Sequence, residues 1–199
     1  MKITDIKQQV KRADRYSIFI DEKYVFSLSE SALLDSGLRL GQELSDEQLV
    51  ELKDTSVRDK AYSSVLNLIA RRQRSEWEVR DYLRRKEYDE PIAEEVVSRL
   101  YRAQLLDDMA FARMWVDNRR QLKSSSKRRL VLELRQKHVE PSIIEAVLED
   151  DENAEASALG ELIRRKRRQS RYQDDQKLMQ YLVRQGFNYG DAKEALKAD

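Results

Sequence analysis

The segment SEWEVRDYLRRK, residues 75–86, decides the fold of this chain. Ser75 and Glu78 stand at the spacing of a capping box, in which each side chain bonds the backbone of the other residue at a helix start. Val79 and Leu83 follow four residues apart, so both lie on one face of the predicted helix. The segment therefore predicts a short amphipathic helix with a basic end.

Further helices are predicted on both sides of this segment. Upstream, from about residue 57, apolar residues recur at helical spacing. Downstream, a second stripe begins at Pro91, a residue favoured in the first turn of a helix. Together the three helices form one supersecondary unit. The apolar stripes consist of Val57, Ala61, Val65, Leu68 and Ile69 upstream, and of Ile92, Val96 and Leu100 downstream.

The three-helix pattern occurs three times. Leu83, Leu134 and Leu182 are 51 and 48 residues apart, and their surroundings align without gaps. That spacing is typical of a helical repeat. The first helices of the second and third repeats are predicted at residues 108–122 and 154–168. The matching apolar positions are Val79, Leu130 and Leu178; Tyr88, Val139 and Phe187; and Val97, Leu148 and Leu196.

The N-terminal segment has a different period. Residues 16–20 and 24–28 are rich in β-branched and aromatic residues and are separated by the polar residues 21–23. This arrangement predicts a β-hairpin, with residues 3–10 as a possible third strand. Two strands alone are only marginally stable in water, so the hairpin must pack on another element.

Two short helices are predicted after the hairpin. One covers residues 30–36 and ends at Gly37, and the other covers residues 46–53 after the capping box of Ser45 and Gln48. The expected fold class is mainly α, with three tandem three-helix repeats in an elongated curved array after a small β-hairpin and helix unit. The expected domains are residues 1–56, 57–106, 107–152 and 153–199.

Composition limits the possible functions. The chain has 38 Lys and Arg against 37 Asp and Glu, and it contains no cysteine and a single histidine, His138. Disulfides, thiol chemistry, and zinc, haem or histidine-base sites are therefore not expected. No apolar run reaches the roughly 18 residues of a membrane span, and no signal peptide is recognisable. We expect a cytoplasmic, non-enzymatic protein without cofactor, metal or membrane partner.

The near-neutral total hides an uneven charge distribution. Residues 1–56 carry a net charge of −3, residues 57–148 carry +5 and residues 149–199 carry −1. Three Arg-rich runs stand at helix ends, where they are candidates for contact with phosphates or with acidic protein surface. The alternative is that they are solvated helix faces. The candidates are Arg71, Arg72, Arg74, Arg84, Arg85, Lys86, Arg119, Arg120, Lys123, Lys127, Arg128, Arg129, Arg164, Arg165, Lys166, Arg167 and Arg168.

Single residues support a structural rather than a catalytic interpretation. Asp107 and Asp108 are expected at a helix N-terminus, where carboxylates meet the positive end of the helix dipole. Trp115 shares an apolar stripe with Phe111 and is expected in the core. Trp77 lies off the stripe of its helix and is expected to be more exposed, and His138 is expected at a helix end.

Three stretches of the chain resemble the RecX family of bacterial regulators of the RecA recombinase. They are residues 75–86, residues 92–100 and LLDDMAFARMWV at residues 105–116. The ending YLVRQGF at residues 181–187 is similar to the last repeat of that family. The resemblance covers roughly residues 57–197, and residues 1–56 resemble an N-terminal extension.

The chain departs from this family pattern at three positions. Glu87, Gln104 and His138 stand where the family usually has glycine, and Gly186 keeps the pattern. Glycine suits the left-handed conformation of a helix C-cap. Glu87 and His138, at the end of the second helix of the first two repeats, must therefore adopt that conformation at some cost, or end the helix differently.

The resemblance implies a regulator that binds RecA and the RecA–single-stranded DNA filament. We expect it to act as a monomer and to inhibit the recombinase, ATPase and SOS coprotease activities, and so to affect DNA repair and recombination. Direct DNA contact is possible. An alternative is a sequence-independent DNA-binding helical-repeat protein that acts without RecA. A helix-turn-helix repressor is a weaker alternative, because no recognition element is identifiable.

Overall fold

A computed structural model describes residues 1–149 and 152–198. The N-terminal segment forms a three-stranded antiparallel sheet of β1 (Ile3–Gln9), β2 (Arg12–Ile20) and β3 (Lys23–Ser29), in the order β1-β2-β3. The third strand expected from the sequence is therefore present. The inner face of the sheet packs against residues that follow it in the chain, among them Leu33, Leu44 and Leu49. This packing supplies the stability that an isolated hairpin lacks.

The turn between β2 and β3 is shorter than predicted. Lys23 pairs with Ile20, so only Asp21 and Glu22 form the turn, with φ values of 47° and 67°. Two successive residues with positive φ match the right-handed twist of the strands that they connect. The loop therefore has two residues, and the predicted length of three residues was wrong.

The first helix after the sheet has the predicted bounds, whereas the second helix is much longer than predicted. Helix α1 (Glu30–Ser36) ends at Gly37, whose φ is 62°. Helix α2 (Asp46–Ile69) begins with the predicted capping box but has 24 residues instead of stopping at residue 53. No glycine or proline interrupts it, and Ser56 and Asp59 form hydrogen bonds with β3. The boundary expected between residues 56 and 57 consequently falls inside α2.

Eight further helices complete the described chain, together with a short 3-10 turn at Ser170–Tyr172. In order, they are α3 (Glu76–Arg85), α4 (Glu90–Arg102), α5 (Asp108–Lys123), α6 (Lys127–Gln136), α7 (Pro141–Val147), α8 (Glu152–Arg167), α9 (Asp175–Arg184) and α10 (Tyr189–Ala198). The end of α2 with α3 and α4 is repeat 1, α5–α7 is repeat 2 and α8–α10 is repeat 3. The predicted three-helix repeats are thus confirmed.

The chain divides into two compact units. The first contains Met1–Gln73 and Val79–Leu105, and the second contains Arg74–Glu78 and the chain from Leu106 onwards. The aligned leucines of the three repeats, Leu83, Leu134 and Leu182, are all fully buried. The same holds for Val79, Leu130 and Leu178, so the sequence alignment of the repeats is also an alignment of their cores.

The helix ends that lack glycine keep the geometry that glycine would give. Glu87, Gln104 and His138 have φ values of 62°, 55° and 53°, and Gly186 has 94°. The residue after each of these four donates a backbone hydrogen bond to the carbonyl five residues earlier. This is the Schellman pattern, which satisfies the last carbonyls of a helix. The left-handed conformation costs each non-glycine residue about 1–2 kcal/mol.

No helix in residues 1–149 or 152–198 is both long enough and apolar enough to cross a bilayer.

Candidate functional site

A recurring joint connects successive repeats within the second unit. The hydroxyl of Ser75 donates a hydrogen bond to the carbonyl of Lys137 at 3.0 Å, and the hydroxyl of Ser126 donates to the carbonyl of Gln185 at 2.7 Å. Both serines are completely buried, and each also accepts a backbone N–H at the start of the helix that follows it. Each joint thus connects the start of one helix to the end of the corresponding helix in the next repeat.

Each joint contains a second hydrogen bond, made by a carboxylate. The N–H of Glu76 donates to Asp108 at 2.8 Å, and the N–H of Lys127 donates to Glu155 at 2.5 Å. These N–H groups belong to the first turn of a helix, where a negative charge is favourable. Burial nevertheless raises the pKa of Asp108 above its ordinary value, and the nearby Glu76 carboxylate adds to the rise.

Alignment of the repeats could have revealed these joints from the sequence. Ser75 and Ser126 both stand eight residues before the aligned leucine of their repeat. Asp174 occupies the same position in repeat 3, where its side chain caps α9 by accepting the N–H of Lys177. Among the described residues, the hydrogen bond from this position to a carbonyl of the next repeat is therefore seen at Ser75 and Ser126.

The second basic run extends from Arg119 to Arg129. Its first two arginines form ion pairs inside repeat 2 and its joint. Arg119 pairs with Glu133 at 2.5 Å and lies over the ring of Trp115, whose Nε1 also donates to Glu133. Arg120 pairs with Glu155 at 2.9 Å. Burial favours protonation of Glu133, but the hydrogen bonds from Arg119 and Trp115 outweigh it and lower the pKa of Glu133.

The first basic run, Arg71 to Lys86, contains side chains that pair with carboxylates and side chains that are exposed. Arg84 and Arg85 both pair with Asp81 and hold its pKa below the ordinary value. Arg74 is mostly buried and lies 4.0 Å from the carboxylate of Glu78. The remaining members are the exposed residues Arg71, Arg72 and Lys86, of which Arg72 bonds the carbonyl of Gln73.

In the third basic run, Arg164 to Arg168, two of the five side chains interact with side chains of the described part of repeat 3. Arg167 pairs with Asp175 at 2.6 Å and donates to two backbone carbonyls. The ammonium of Lys166 lies over the rings of Tyr172 and Tyr181, at 5.3 and 4.6 Å from their centroids. Arg164, Arg165 and Arg168 are exposed.

The ends of the second and third runs come together in the second unit. Arg165 donates to the carbonyl of Lys123 at 3.3 Å, so the end of α8 lies against the end of α5. The exposed side chains of Lys123, Arg164 and Arg168 have no hydrogen-bond or ion-pair partner among the residues that the structure describes. We call these three residues and Arg165 the basic edge. Cations at helix C-termini are stabilised by the helix dipole, so the positive charge is favourable there.

Three cations of the second run remain at the start of α6. Lys127 and Arg128 are exposed and, within the described part of the chain, their side chains are unpaired. Arg129 pairs with Glu133 at 3.3 Å and donates to the side chain of Gln185 at 2.7 Å.

The tryptophans occupy the environments that their sequence positions suggest. Trp115 is partly buried against the core of repeat 2 and contacts Phe111. Trp77 is 36% exposed and stacks on His138 with ring centroids 4.2 Å apart and an angle of 16° between the planes. His138 lies just beyond α6, as expected. The stack was not predicted, because the two residues are far apart in sequence.

The acidic residues around the candidate site have structural roles. Asp107 is the N-cap of α5 and accepts the N–H of Ala110. Asp108, the first residue of α5, contributes the carboxylate of the joint. Within residues 1–149 and 152–198, no three His, Cys, Asp or Glu side chains are grouped so that they could hold a metal ion.

Four family models match consecutive parts of the chain. The model described as the regulatory protein RecX N-terminal domain matches residues 1–45. The first, second and third three-helix domains of RecX match residues 61–100, 107–148 and 150–196.

Curated relatives match the chain over nearly its whole length. The regulatory protein RecX of Listeria monocytogenes is 32% identical over 98% of this chain and 74% of the relative. That of Oceanobacillus iheyensis is 34% identical over 95% of this chain and 73% of the relative.

Solved structures show the same fold. A crystal structure of a regulatory protein RecX superposes with a TM-score of 0.74 at 29% identity and covers 98% of both chains. A crystal structure of RecX from Lactobacillus salivarius superposes with a TM-score of 0.63 at 21% identity, over 71% of this chain and 95% of the other.

Proposed function

Because this chain belongs to the RecX family of regulatory proteins, we propose that it binds the RecA recombinase and the RecA–single-stranded DNA filament. It acts in the cytoplasm as a non-enzymatic monomer. Its binding restrains the recombinase, ATPase and SOS coprotease activities of RecA, and thereby DNA repair and recombination. Family matches along the chain and 32% identity to a curated regulatory protein RecX support the proposal.

The basic edge is the observation that carries this proposal. Most of the other candidate arginines are neutralised by acidic side chains of the chain itself. Lys123, Arg164 and Arg168 are not neutralised in this way within the described residues. The hydrogen bond from Arg165 to the carbonyl of Lys123 brings the helix ends that carry them together. Arginine binds phosphates and carboxylates with two parallel hydrogen bonds. The basic edge therefore suits a partner that presents phosphate oxygens or carboxylates.

The near-neutral total charge supports selective rather than general attachment to DNA. The chain has a net charge of only +1, so the nonspecific attraction of the whole protein to DNA is weak. A small basic surface on a neutral protein gives useful affinity when protein contacts add to it. A filament of protein on DNA offers both kinds of contact.

The DNA-dependent ATPase activity of the cognate RecA tests the proposal. We expect the rate to fall when this protein is added at substoichiometric amounts, because one regulator on a filament affects many subunits. An unchanged ATPase rate together with an unchanged filament lifetime would overturn the proposal.

A charge-reversal variant tests the basic edge. Replacement of Lys123, Arg164 and Arg168 by glutamate is expected to weaken inhibition about 10-fold or more. The matched control reverses three exposed cations of the N-terminal sheet, Lys11→Glu, Arg12→Glu and Lys23→Glu, with the same change in net charge. Equal inhibition by the two variants would remove the basic edge from the proposal.

The same basic edge favours a second candidate function, sequence-independent DNA binding without RecA. Each neutralised phosphate releases bound counterions, so affinity for naked single strands then falls steeply with salt concentration. Binding at micromolar concentration or tighter at physiological salt would favour this function. Negligible binding to naked DNA, with inhibition of RecA retained, would favour the regulator.

A further inference from the structure

A groove between the second and third helices occurs at the same place in repeats 2 and 3. In repeat 2 it lies between α6 and α7 and has a volume of about 740 Å³. In repeat 3 it lies between α9 and α10 and has a volume of about 480 Å³. The lining residues Val131, Glu145 and Leu148 align with Met179, Lys193 and Leu196. The two grooves therefore share a framework and differ in their side chains.

In repeat 1 two ion pairs connect α3 and α4 at the equivalent position. Arg80 stands where Val131 and Met179 stand in the other repeats. Its guanidinium pairs with Glu90 at 3.1 Å and with Glu94 at 2.8 Å, both on α4. Arg80 and the two glutamates therefore neutralise one another in part, and the position attracts a charged partner only weakly.

In repeat 2 the charges around the groove balance. Lys127 and Arg135 lie on the α6 side, and Glu145 and Glu149 lie on the α7 side. Two positive and two negative side chains around one groove produce no net attraction for a charged segment.

In repeat 3 the positive charges of the groove are not balanced. Lys193 and Lys197 lie one helical turn apart on α10, and both are exposed and unpaired among the described residues. The carboxylate in the groove lining, Asp175, already pairs with Arg167 at 2.6 Å. Two acidic residues of α10, Asp191 and Glu194, line a different groove, formed with α6 and α8. The groove between α9 and α10 therefore attracts negative charge.

The same groove also offers apolar surface. Tyr189 is 60% exposed at the start of α10. Met179 and Leu196 are partly buried and pack against the core of repeat 3 on one side while they line the groove on the other. An apolar side chain that enters here would remove this apolar surface from water, which favours binding.

We propose that the groove between α9 and α10 docks an acidic peptide segment that carries one bulky apolar side chain. The apolar side chain contacts Met179, Tyr189 and Leu196, and carboxylates on either side of it bond Lys193 and Lys197. Such a pattern of one anchor and flanking charges is a common mode of peptide recognition. This inference rests on the proposed function, because the segment belongs to RecA.

A closing variant tests the proposal by copying repeat 1 into repeat 3. The double substitution Met179→Arg and Lys193→Glu places the Arg80–Glu94 pair in the groove and lowers the net charge by one. The matched control Lys177→Gln makes the same charge change at an exposed position on α9 that does not line the groove. Binding of each labelled protein to cognate RecA filaments on single-stranded DNA is measured by fluorescence anisotropy.

We expect the closing variant to bind about 10-fold more weakly than the unchanged protein, and the control to bind within about twofold. Equal binding by the closing variant would overturn the inference and leave the proposed function intact. Failure of the unchanged protein to bind RecA would overturn both. Loss of affinity for naked single-stranded DNA with unchanged affinity for RecA would also overturn the inference, since the groove would then take nucleic acid.

A second variant keeps the test valid if the closing variant is misfolded. Lys193→Gln with Lys197→Gln removes the charges but leaves every apolar residue of the groove in place. Circular dichroism and the midpoint of thermal unfolding verify that each variant is folded. A folded Lys193→Gln and Lys197→Gln protein with unchanged affinity for RecA filaments would contradict the charge contacts assigned here.

Discussion

The hydroxyl oxygen of Ser126 lies so close to Gly186 that a Cβ atom at position 186 would be 2.7 Å from it. Ser126 reaches this position to donate its hydrogen bond to the carbonyl of Gln185. Gly186 therefore has two roles, because it ends α9 with a φ of 94° and leaves room for the serine of the preceding repeat. His138 holds the same position in the other joint, where Ser75 donates to the carbonyl of Lys137 at 3.0 Å, so neither the backbone conformation nor the joint by itself requires glycine. The contact specific to position 186 is the closer approach of Ser126.

Replacement of Gly186 by alanine should lower the free energy of unfolding by about 2–4 kcal/mol. Backbone strain contributes about 1 kcal/mol, and displacement of Ser126 contributes the rest. The matched control is Gly37→Ala, where φ is 62° and no atom lies within 4 Å of the added Cβ, so only backbone strain applies. Denaturant unfolding measures both effects, and equal losses would show that the close contact carries no cost.

Ser126→Ala tests the joint itself. We expect a loss of about 1–3 kcal/mol, because both the cap of α6 and the hydrogen bond to Gln185 are removed and that carbonyl is left without its partner. Asp174→Ala is the control, since it removes the cap at the same position of repeat 3 but no joint. A loss no greater than that of the control would contradict the structural role of the joint.

The buried ion pair of Arg15 and Asp59 in the first unit should be essential for stability. Their charged atoms are 2.9 Å apart, and Arg15 is 2% exposed. Asp59→Ala should cost about 3–5 kcal/mol, because it leaves a buried guanidinium without its carboxylate. Arg58→Ala, which removes exposed ion pairs one residue away on α2, should cost far less, because solvent screens exposed charges. Similar losses for both variants in denaturant unfolding would refute this assignment.

Asp108→Asn should change how stability depends on pH. The folded state raises the pKa of Asp108, mainly through burial, so this carboxyl contributes stability that is complete below its ordinary pKa and is lost as pH rises through the folded pKa. Asparagine keeps an oxygen acceptor for the N–H of Glu76 and does not ionise. The stability of the variant relative to the unchanged protein should therefore be highest near pH 7 and fall as pH is lowered towards about 4. A difference that does not vary with pH would contradict the assigned shift.

Glu133→Gln should show the opposite dependence. Despite its burial, Glu133 has a lowered pKa because Arg119 and Trp115 donate hydrogen bonds to it. Its stabilisation is present above the ordinary pKa of glutamate and is lost as pH falls through the folded pKa. The variant should be about 1–3 kcal/mol less stable near pH 7, and this loss should shrink in acid. Unfolding curves at several pH values would disprove the prediction if the loss were constant.

The paired arginines also determine which substitutions can report on binding. Arg119→Glu would place a carboxylate next to Glu133, and Arg120→Glu would place one next to Glu155. Such variants would lose stability before they reported anything about a partner. Lys123, Arg164 and Arg168 are better positions, because within the described residues their charges have no internal role.

Local and periodic features of this protein could be read from its sequence. Leu83, Leu134 and Leu182 recur at positions that must be buried on a helix, and all three are buried. Gly37 ends α1 and Asp107 caps α5 because their effects depend only on neighbouring residues. The same local patterns carried the resemblance to the RecX family.

The tertiary structure alone decided the partners of the charged residues and the length of α2. Three Arg-rich runs look alike as sequence, yet Glu133 and Glu155 neutralise Arg119 and Arg120, whereas Arg164 stays unpaired within the described chain. Helix α2 continues past residue 53 because the sheet provides partners for its polar residues. Ion pairs and hydrogen bonds form between atoms within a few ångströms of each other. Residues distant in sequence meet at that range only after the helices have packed.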